Sequence, residues 1–145
     1  MPKPRVLFLC TGNSCRSQMA EGWLRAIAGD QFEVFSAGVK PAGVNAMAIA
    51  VMREIGVDIS GQRSKSVGEL LGQHFPYTVT VCDSAREQCP VFPGPCQRLH
   101  WSLEDPAAAT GTDEQRLGLF RRVRDEIGDR VREFVKATAL HPAGK

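Results

Sequence analysis

The sequence predicts a single-domain α/β fold, a doubly wound parallel four-stranded sheet with helices on both faces. Three observations carry this expectation. Short apolar or β-branched runs alternate with amphipathic helical segments along the 145 residues, the order expected of right-handed βαβ units. That length suits one domain. No repeat, low-complexity stretch or interdomain linker interrupts the chain. Residues 1–140 read as the domain and residues 141–145 as a disordered tail.

Each element has its own signal. Residues 5–10 (RVLFLC) are a short apolar run between prolines and a Gly-containing turn, and read as a buried strand. Residues 17–28 place Met19, Trp23, Leu24 and Ile27 at helical spacing, with Gly29 where a C-terminal cap belongs. Residues 31–36 (QFEVFS) alternate polar and apolar side chains ahead of Ala37-Gly38, a second strand. Asn45 is the expected N-cap of a helix over 46–55 that Gly56 ends. Ser66 and Glu69 have capping-box spacing for a short helix. Residues 77–81 (YTVTV) give the third strand and residues 97–101 the fourth. Thr112 and Gln115 repeat the capping-box pattern and open a long helix to about residue 138. Its core stripe is Leu117, Phe120, Val123, Ile127, Val131 and Phe134.

Composition narrows the function. Hydrophobic residues make up 43% and charged residues 23%, ordinary for a globular core, and the net charge is only +2. The arginines of 116–132 are interleaved with Asp113, Glu114, Asp125, Glu126, Asp129 and Glu133. Arg121/Asp125, Arg122/Glu126 and Glu126/Arg130 are four apart, which predicts a solvated helix face laced by ion pairs and no nucleic-acid partner. No apolar run approaches the ~20 residues a bilayer needs, so no membrane role is expected. The basic N-terminus lacks a sustained apolar stretch after it, and a cytoplasmic location is expected. His74 and His141 read as surface residues. Five cysteines, an odd number, favour reactive or metal-bound thiols over a disulfide framework.

In open α/β sheets ligands sit at the carboxyl ends of strands, beside helix N-termini. The loop after the first strand therefore draws the eye: Cys10-Thr11-Gly12-Asn13-Ser14-Cys15-Arg16-Ser17. A cysteine, five residues and an arginine suit an anion nest. Gly12 and Asn13 allow the backbone N–H groups of Thr11 to Ser17 to turn inward. Arg16 adds a planar fork of donors that matches a tetrahedral oxyanion. The same positive field would favour a Cys10 thiolate, to which Ser17 can donate. A nucleophile of this kind calls for an acid, and Asp105, ahead of Pro106, lies after the fourth strand at the same sheet end. From pattern alone an Asp-Pro pair is better read as an ordinary turn.

The 10–17 loop, the Asp105-Pro106 pair and the βα order resemble the low-molecular-weight protein tyrosine phosphatases. Residues 81–90 (VCDSAREQCP) and 100–106 (HWSLEDP) resemble more closely the thioredoxin-coupled arsenate reductases of that superfamily. The likeness spans about residues 5–134. It implies a catalytic, monomeric domain that binds no cofactor, reduces arsenate to arsenite and draws electrons from reduced thioredoxin. Cys10 would attack arsenate, and Asp105 would protonate the departing oxygen. Cys82 would attack the Cys10 sulfur and release arsenite. Cys89 would then attack Cys82, leaving a Cys82–Cys89 disulfide for thioredoxin. If residues 83–88 are helical when reduced, the two Cα atoms lie about 10.5 Å apart, so forming the bond requires that segment to unwind. Some members of this group hold a potassium ion behind the oxyanion loop, with ligands that align with Asn13, Glu21 and Ser36. The remaining aspartate ligand aligns with Lys65, whose ammonium would take the ion's place and pair with Glu21, unless it is simply a solvated lysine.

Other readings use the same residues. A phosphatase needs only Cys10, Arg16 and Asp105, and weak phosphatase activity is the most expected here. Residues 106–111 (PAAATG) carry no aromatic side chain to stack on a phenyl ring. A non-enzymatic oxyanion sensor would need neither nucleophile nor acid. Cys15 reads as a small buried hydrophobe, and Cys96 matches no position of the resemblance. Cys82, Cys89, Cys96 and His100 could be soft metal ligands, but their spacing is not that of structural zinc, and no metal is expected.

Overall fold

The computed structural model describes residues 3–82, 85, 87 and 89–140. The 141–145 tail, His141 included, lies outside the described residues, as do Asp83, Ser84, Arg86 and Gln88; Ala85 and Glu87 are helical. Four strands, β1 (Arg5–Cys10), β2 (Glu33–Gly38), β3 (Tyr77–Thr80) and β4 (Gln97–His100), form one sheet in the order β2-β1-β3-β4. Every neighbouring pair is parallel. The α-helices whose full ranges are described are α1 (Arg16–Ala28), α2 (Ala46–Glu54) and α3 (Asp113–Leu140). Short 3-10 turns occupy Val67–Leu70 and Pro106–Ala108.

The register divides the sheet into two faces. Val6 pairs with Val34 and Tyr77, and Tyr77 packs edge-on against Phe134 of α3, with ring centroids 5.2 Å apart. This face is covered by α1 and α3, with α2 packed on both helices. The predicted stripe of α3 is buried from Phe120 through Phe134. On the opposite face Phe35 meets Phe75 at 5.4 Å, and Phe75 meets Phe92 at 5.1 Å. Both faces are thus dry, which is why β1 and β3 are buried almost throughout.

Several boundaries moved for physical reasons. Gln31 and Phe32 both donate their backbone N–H to Ala28 O. They belong to the turn that ends α1, so β2 starts at Glu33 opposite Arg5 and runs on to Gly38 opposite Cys10. Gly29 caps α1 in a right-handed conformation rather than a left-handed one. Asn45 does cap α2, accepting from the N–H groups of Met47 and Ala48. Thr112 and Gln115 form a reciprocal capping box: Thr112 N–H donates to Gln115 Oε1 at 2.9 Å, and Gln115 N–H to Thr112 Oγ1 at 3.1 Å.

The ion pairs of α3 differ from those expected at four-residue spacing. Arg121 forks onto Glu54 of α2 and Arg122 reaches Glu104, so these arginines pair with other elements instead of with Asp125 and Glu126. Arg124 is buried and grips Val51 O, Glu54 and Asp125, while its own carbonyl accepts from Trp23 Nε1. Arg121 and Arg124 thus clasp α3 to α2, while Arg116–Asp113 and Arg132–Asp129 pair along α3 itself. Among the described residues no helix is long and apolar enough to cross a membrane.

Candidate active site

The 10–17 loop leaves β1 and enters α1. Asn13 takes a left-handed backbone with φ 46°, a conformation asparagine tolerates. Gly12, also expected to supply that freedom, does not: a Cβ there would make ordinary contacts. The glycine that matters sterically is Gly38, whose added Cβ would fall 2.7 Å from both Asn13 N and Thr11 O. Sequence reading missed it, although its place at the end of β2 beside the loop was a signal.

The loop's carbonyls are all engaged on its outer side. Cys10 O accepts from Val39 N–H, Thr11 O from Lys40 N–H, Gly12 O from Ala42 N–H and Ser14 O from Asn45 N–H, at 2.8–3.3 Å. Asn13 O accepts from Gln18 Nε2 at 3.0 Å, and Ser64 Oγ donates a second bond to Gly12 O. In a planar trans peptide the carbonyl and the next N–H point opposite ways. Five outward carbonyls therefore aim the N–H groups of residues 11–15 inward. One is seen to arrive: Asn13 N–H donates to Cys10 Sγ at 3.1 Å. Helix α1 begins with no side-chain cap and no acidic residue in its first turn, so its N-terminal donors stay available to an anion.

Cys10 is buried at the bottom of this cup, 2.8 Å from Ser17 Oγ. Ser17 is oriented in turn by Asn13 Nδ2 at 2.9 Å. Both contacts suit a thiolate, which accepts from donors without having to give one. Arg16 closes one wall. Its Nη1 donates to Leu103 O at 3.0 Å, and its Nη2 lies 3.7 Å from Asp105 Oδ2. Asp105 caps the Pro106–Ala108 turn by accepting from Ala107 N–H, and its side chain stays 45% exposed at the mouth. The pocket between them has a volume of about 210 Å³; Cys10, Thr11, Gly12, Ser14, Cys15, Arg16, Asp105 and Ala107 line it. No aromatic ring is among these described lining residues.

The remaining thiols separate. Cys82 is buried against the loop, its Sγ 3.3 Å from Thr11 Oγ1 and accepting from Ala85 N–H at 3.3 Å. Cys89 is half-buried on the opposite sheet face, in a cavity of about 180 Å³ that it shares with Thr78, Thr80, Arg98 and His100. Burial pushes its thiol pKa up, against the pull of the Arg98 guanidinium. Cys15 is buried, and desolvation pushes it up to about 12 despite the Ser14 hydrogen bond. Among the described residues no group of three or more His, Cys, Asp or Glu could hold a metal ion.

Behind the loop, Lys65 donates its backbone N–H to Asn13 Oδ1 at 2.9 Å and its ammonium to Ser36 O at 2.7 Å and Arg63 O at 3.0 Å. Burial lowers its pKa, while the field of Glu21 opposes that shift. Glu21 itself is held by Ser36 Oγ and, at 2.7 Å, by Arg25 one helical turn on, and not by the Lys65 ammonium expected to pair with it. With Ser36 O and the carboxylate already engaged by two cations, these residues do not fit a bound potassium ion.

Residues 5–142 match the pattern of the low molecular weight phosphotyrosine protein phosphatases. The arsenate reductase of Halalkalibacterium halodurans is 50% identical over 136 residues, covering 94% of this chain and 98% of that one. A solved arsenate reductase in the oxidized state superposes with a TM-score of 0.80 at 31% identity, over 92% of this chain and 97% of its own. The thioredoxin-dependent arsenate reductase of Corynebacterium glutamicum gives 0.75 at 33% identity, over 96% of this chain and 63% of that chain. A cysteine-floored oxyanion cup between β1 and α1, inside a likeness that runs nearly end to end, identifies the lineage: the chain belongs to the low molecular weight phosphotyrosine protein phosphatase family.

Proposed function

We propose that the chain is an arsenate reductase that works by a Cys10–Cys82–Cys89 relay and is recycled by reduced thioredoxin. The observation that carries this reading is the position of Cys82, a second buried thiol held against Thr11 on the flank of the Cys10 cup. A phosphatase has no use for it. The inward N–H groups and Arg16 bind arsenate, and Cys10 Sγ bonds to arsenic. Asp105 protonates the oxygen that leaves as water. Cys82 thiolate then bonds to Cys10 Sγ. The S–As pair stays on arsenic, which drops from the +5 to the +3 state and departs as arsenite. Cys89 attacks Cys82 Sγ, freeing Cys10, and thioredoxin's two electrons reduce the Cys82–Cys89 disulfide. Weak phosphatase activity accompanies this as a by-product of the same thiolate and acid, and the ring-free pocket wall favours a small oxyanion over an aryl phosphate. Lys65 braces the loop through Asn13 in place of a metal ion.

The test is NADPH loss in a mixture of the protein, arsenate, thioredoxin and thioredoxin reductase. Arsenate-dependent oxidation that disappears in Cys82→Ser is expected. A protein that hydrolyses p-nitrophenyl phosphate briskly but oxidises no NADPH would instead be a phosphatase.

A further inference from the structure

Cys96 has no part in that relay, yet the fold turns it toward Cys89. It directly precedes β4, and strand alternation sets residues 96, 98 and 100 on one face. Thr78 shares that face through its pairing with Arg98, and Cys96 Sγ donates to Thr78 Oγ1 at 3.5 Å. Thr78 and Arg98 line the same cavity as Cys89, so the two thiols flank one space across β3 and β4.

The chain between them, residues 90–95, is drawn shut at both ends. Arg98 Nη2 donates to Pro90 O at 3.0 Å, and His74 Nε2 bonds Pro95 O at 2.7 Å. Pro90, Pro93 and Pro95 restrict its backbone, and Phe92 is buried against Phe75. The thiols are near enough that charge on Cys96 raises the pKa of Cys89. Cys89 is half-buried, whereas Cys96 is exposed.

We propose that Cys96 is a further thiol of the relay, receiving the disulfide as Cys89–Cys96; this rests on the relay proposed above. The Cys96 thiolate bonds to Cys89 Sγ, the Cys82–Cys89 bond breaks, and its electron pair leaves on Cys82, which takes up a proton. The exchange has no net oxidation and needs no further reagent. It returns Cys82 to its place beside Thr11 and moves the disulfide to an exposed sulfur, where a dithiol reductant can reach it.

Two experiments separate this from the relay itself. Cys82→Ser, oxidised with one equivalent of diamide, alkylated with iodoacetamide and digested, is expected to yield a Cys89–Cys96 peptide by mass spectrometry, whether or not the chain reduces arsenate. Cys89 found alkylated, or joined to Cys10 or Cys15, would overturn the proposal. In the wild type, one equivalent of arsenate without reductant is expected to give the Cys89–Cys96 peptide, replaced by Cys82–Cys89 in Cys96→Ser. Wild-type protein that stops at Cys82–Cys89 would overturn the proposal while leaving the relay intact.

Discussion

The loop of residues 10–17 and the segment of residues 82–96 meet the chemistry from opposite directions. The first is held from outside by the backbone of residues 39–45, by the side chains of Gln18 and Ser64 and by the Lys65 backbone N–H, which leaves its N–H groups aimed at a fixed point. The second carries its thiols at different depths, buried at Cys82, half-buried at Cys89 and exposed at Cys96. Preorganised donors stabilise developing charge without reorganising, so the first region has to stay still. In the proposed relay, disulfide exchange needs sulfurs that approach one another, so there the second would have to travel. A phosphatase could be built from the first and Asp105.

The sharpest break between the regions is expected from their cysteines. Cys10→Ser should reduce both arsenate reduction and p-nitrophenyl phosphate hydrolysis to background. Cys82→Ser and Cys89→Ser should lose only reductase turnover, because water hydrolyses a phosphocysteine without a second thiol. Equal loss of phosphatase activity in a folded Cys82→Ser protein would merge the two regions into one machine. Next in size, Arg16→Lys keeps the charge but loses the fork. One charge-assisted hydrogen bond is worth about 1.5–3 kcal/mol, so arsenate affinity should fall roughly tenfold or more while the melting temperature moves little, as titration calorimetry and thermal unfolding would show.

Away from both regions, Ile127→Ala should cost ~2–5 kcal/mol of stability in urea unfolding and leave the activity of the folded fraction unchanged. Cys15 refines the picture of the still region. Its folded pKa of about 12 lies above the ordinary 9.0. The stability tied to its neutral thiol is present below pH 9 and is lost as pH rises toward 12. Wild type should therefore lose more stability between pH 8 and 10.5 than Cys15→Ala, and Cys15 should resist iodoacetamide at pH 8. The smallest effect is expected at Lys65: exchanging potassium for sodium at constant ionic strength should change nothing, whereas Lys65→Asp should acquire a potassium requirement. A wild-type affinity for arsenate that rises with potassium would contradict the reading of Lys65 as the resident cation.

Much of the still region was legible because it is local. The β1–loop–α1 order, the left-handed Asn13 and the Ser17 contact to Cys10 all lie within residues 5–28. Thr112 and Gln115 were readable for the same reason. What escaped depends on distant partners. Gly38 needed the knowledge that β2 ends against the loop, and the arginines of α3 pair with Glu54 and Glu104, far off in sequence. Helical spacing offered Arg121 a carboxylate four residues on, but a bidentate fork onto Glu54 gives better geometry than a flexible surface pair.

The outer wall of the cup is built from main-chain donors, and this decides who could ever notice it. Lys40 and Ala42, which donate to Thr11 O and Gly12 O, are exposed, so truncating their side chains removes almost nothing that the anion feels. An alanine scan would pass over them as silent, and the chain is free to vary their chemistry so long as each backbone keeps its hydrogen. Lys40→Ala should bind oxyanion as the wild type does. Lys40→Pro deletes the donor to Thr11 O, lets that peptide turn, and should blunt the cup from a position no side-chain survey would mark.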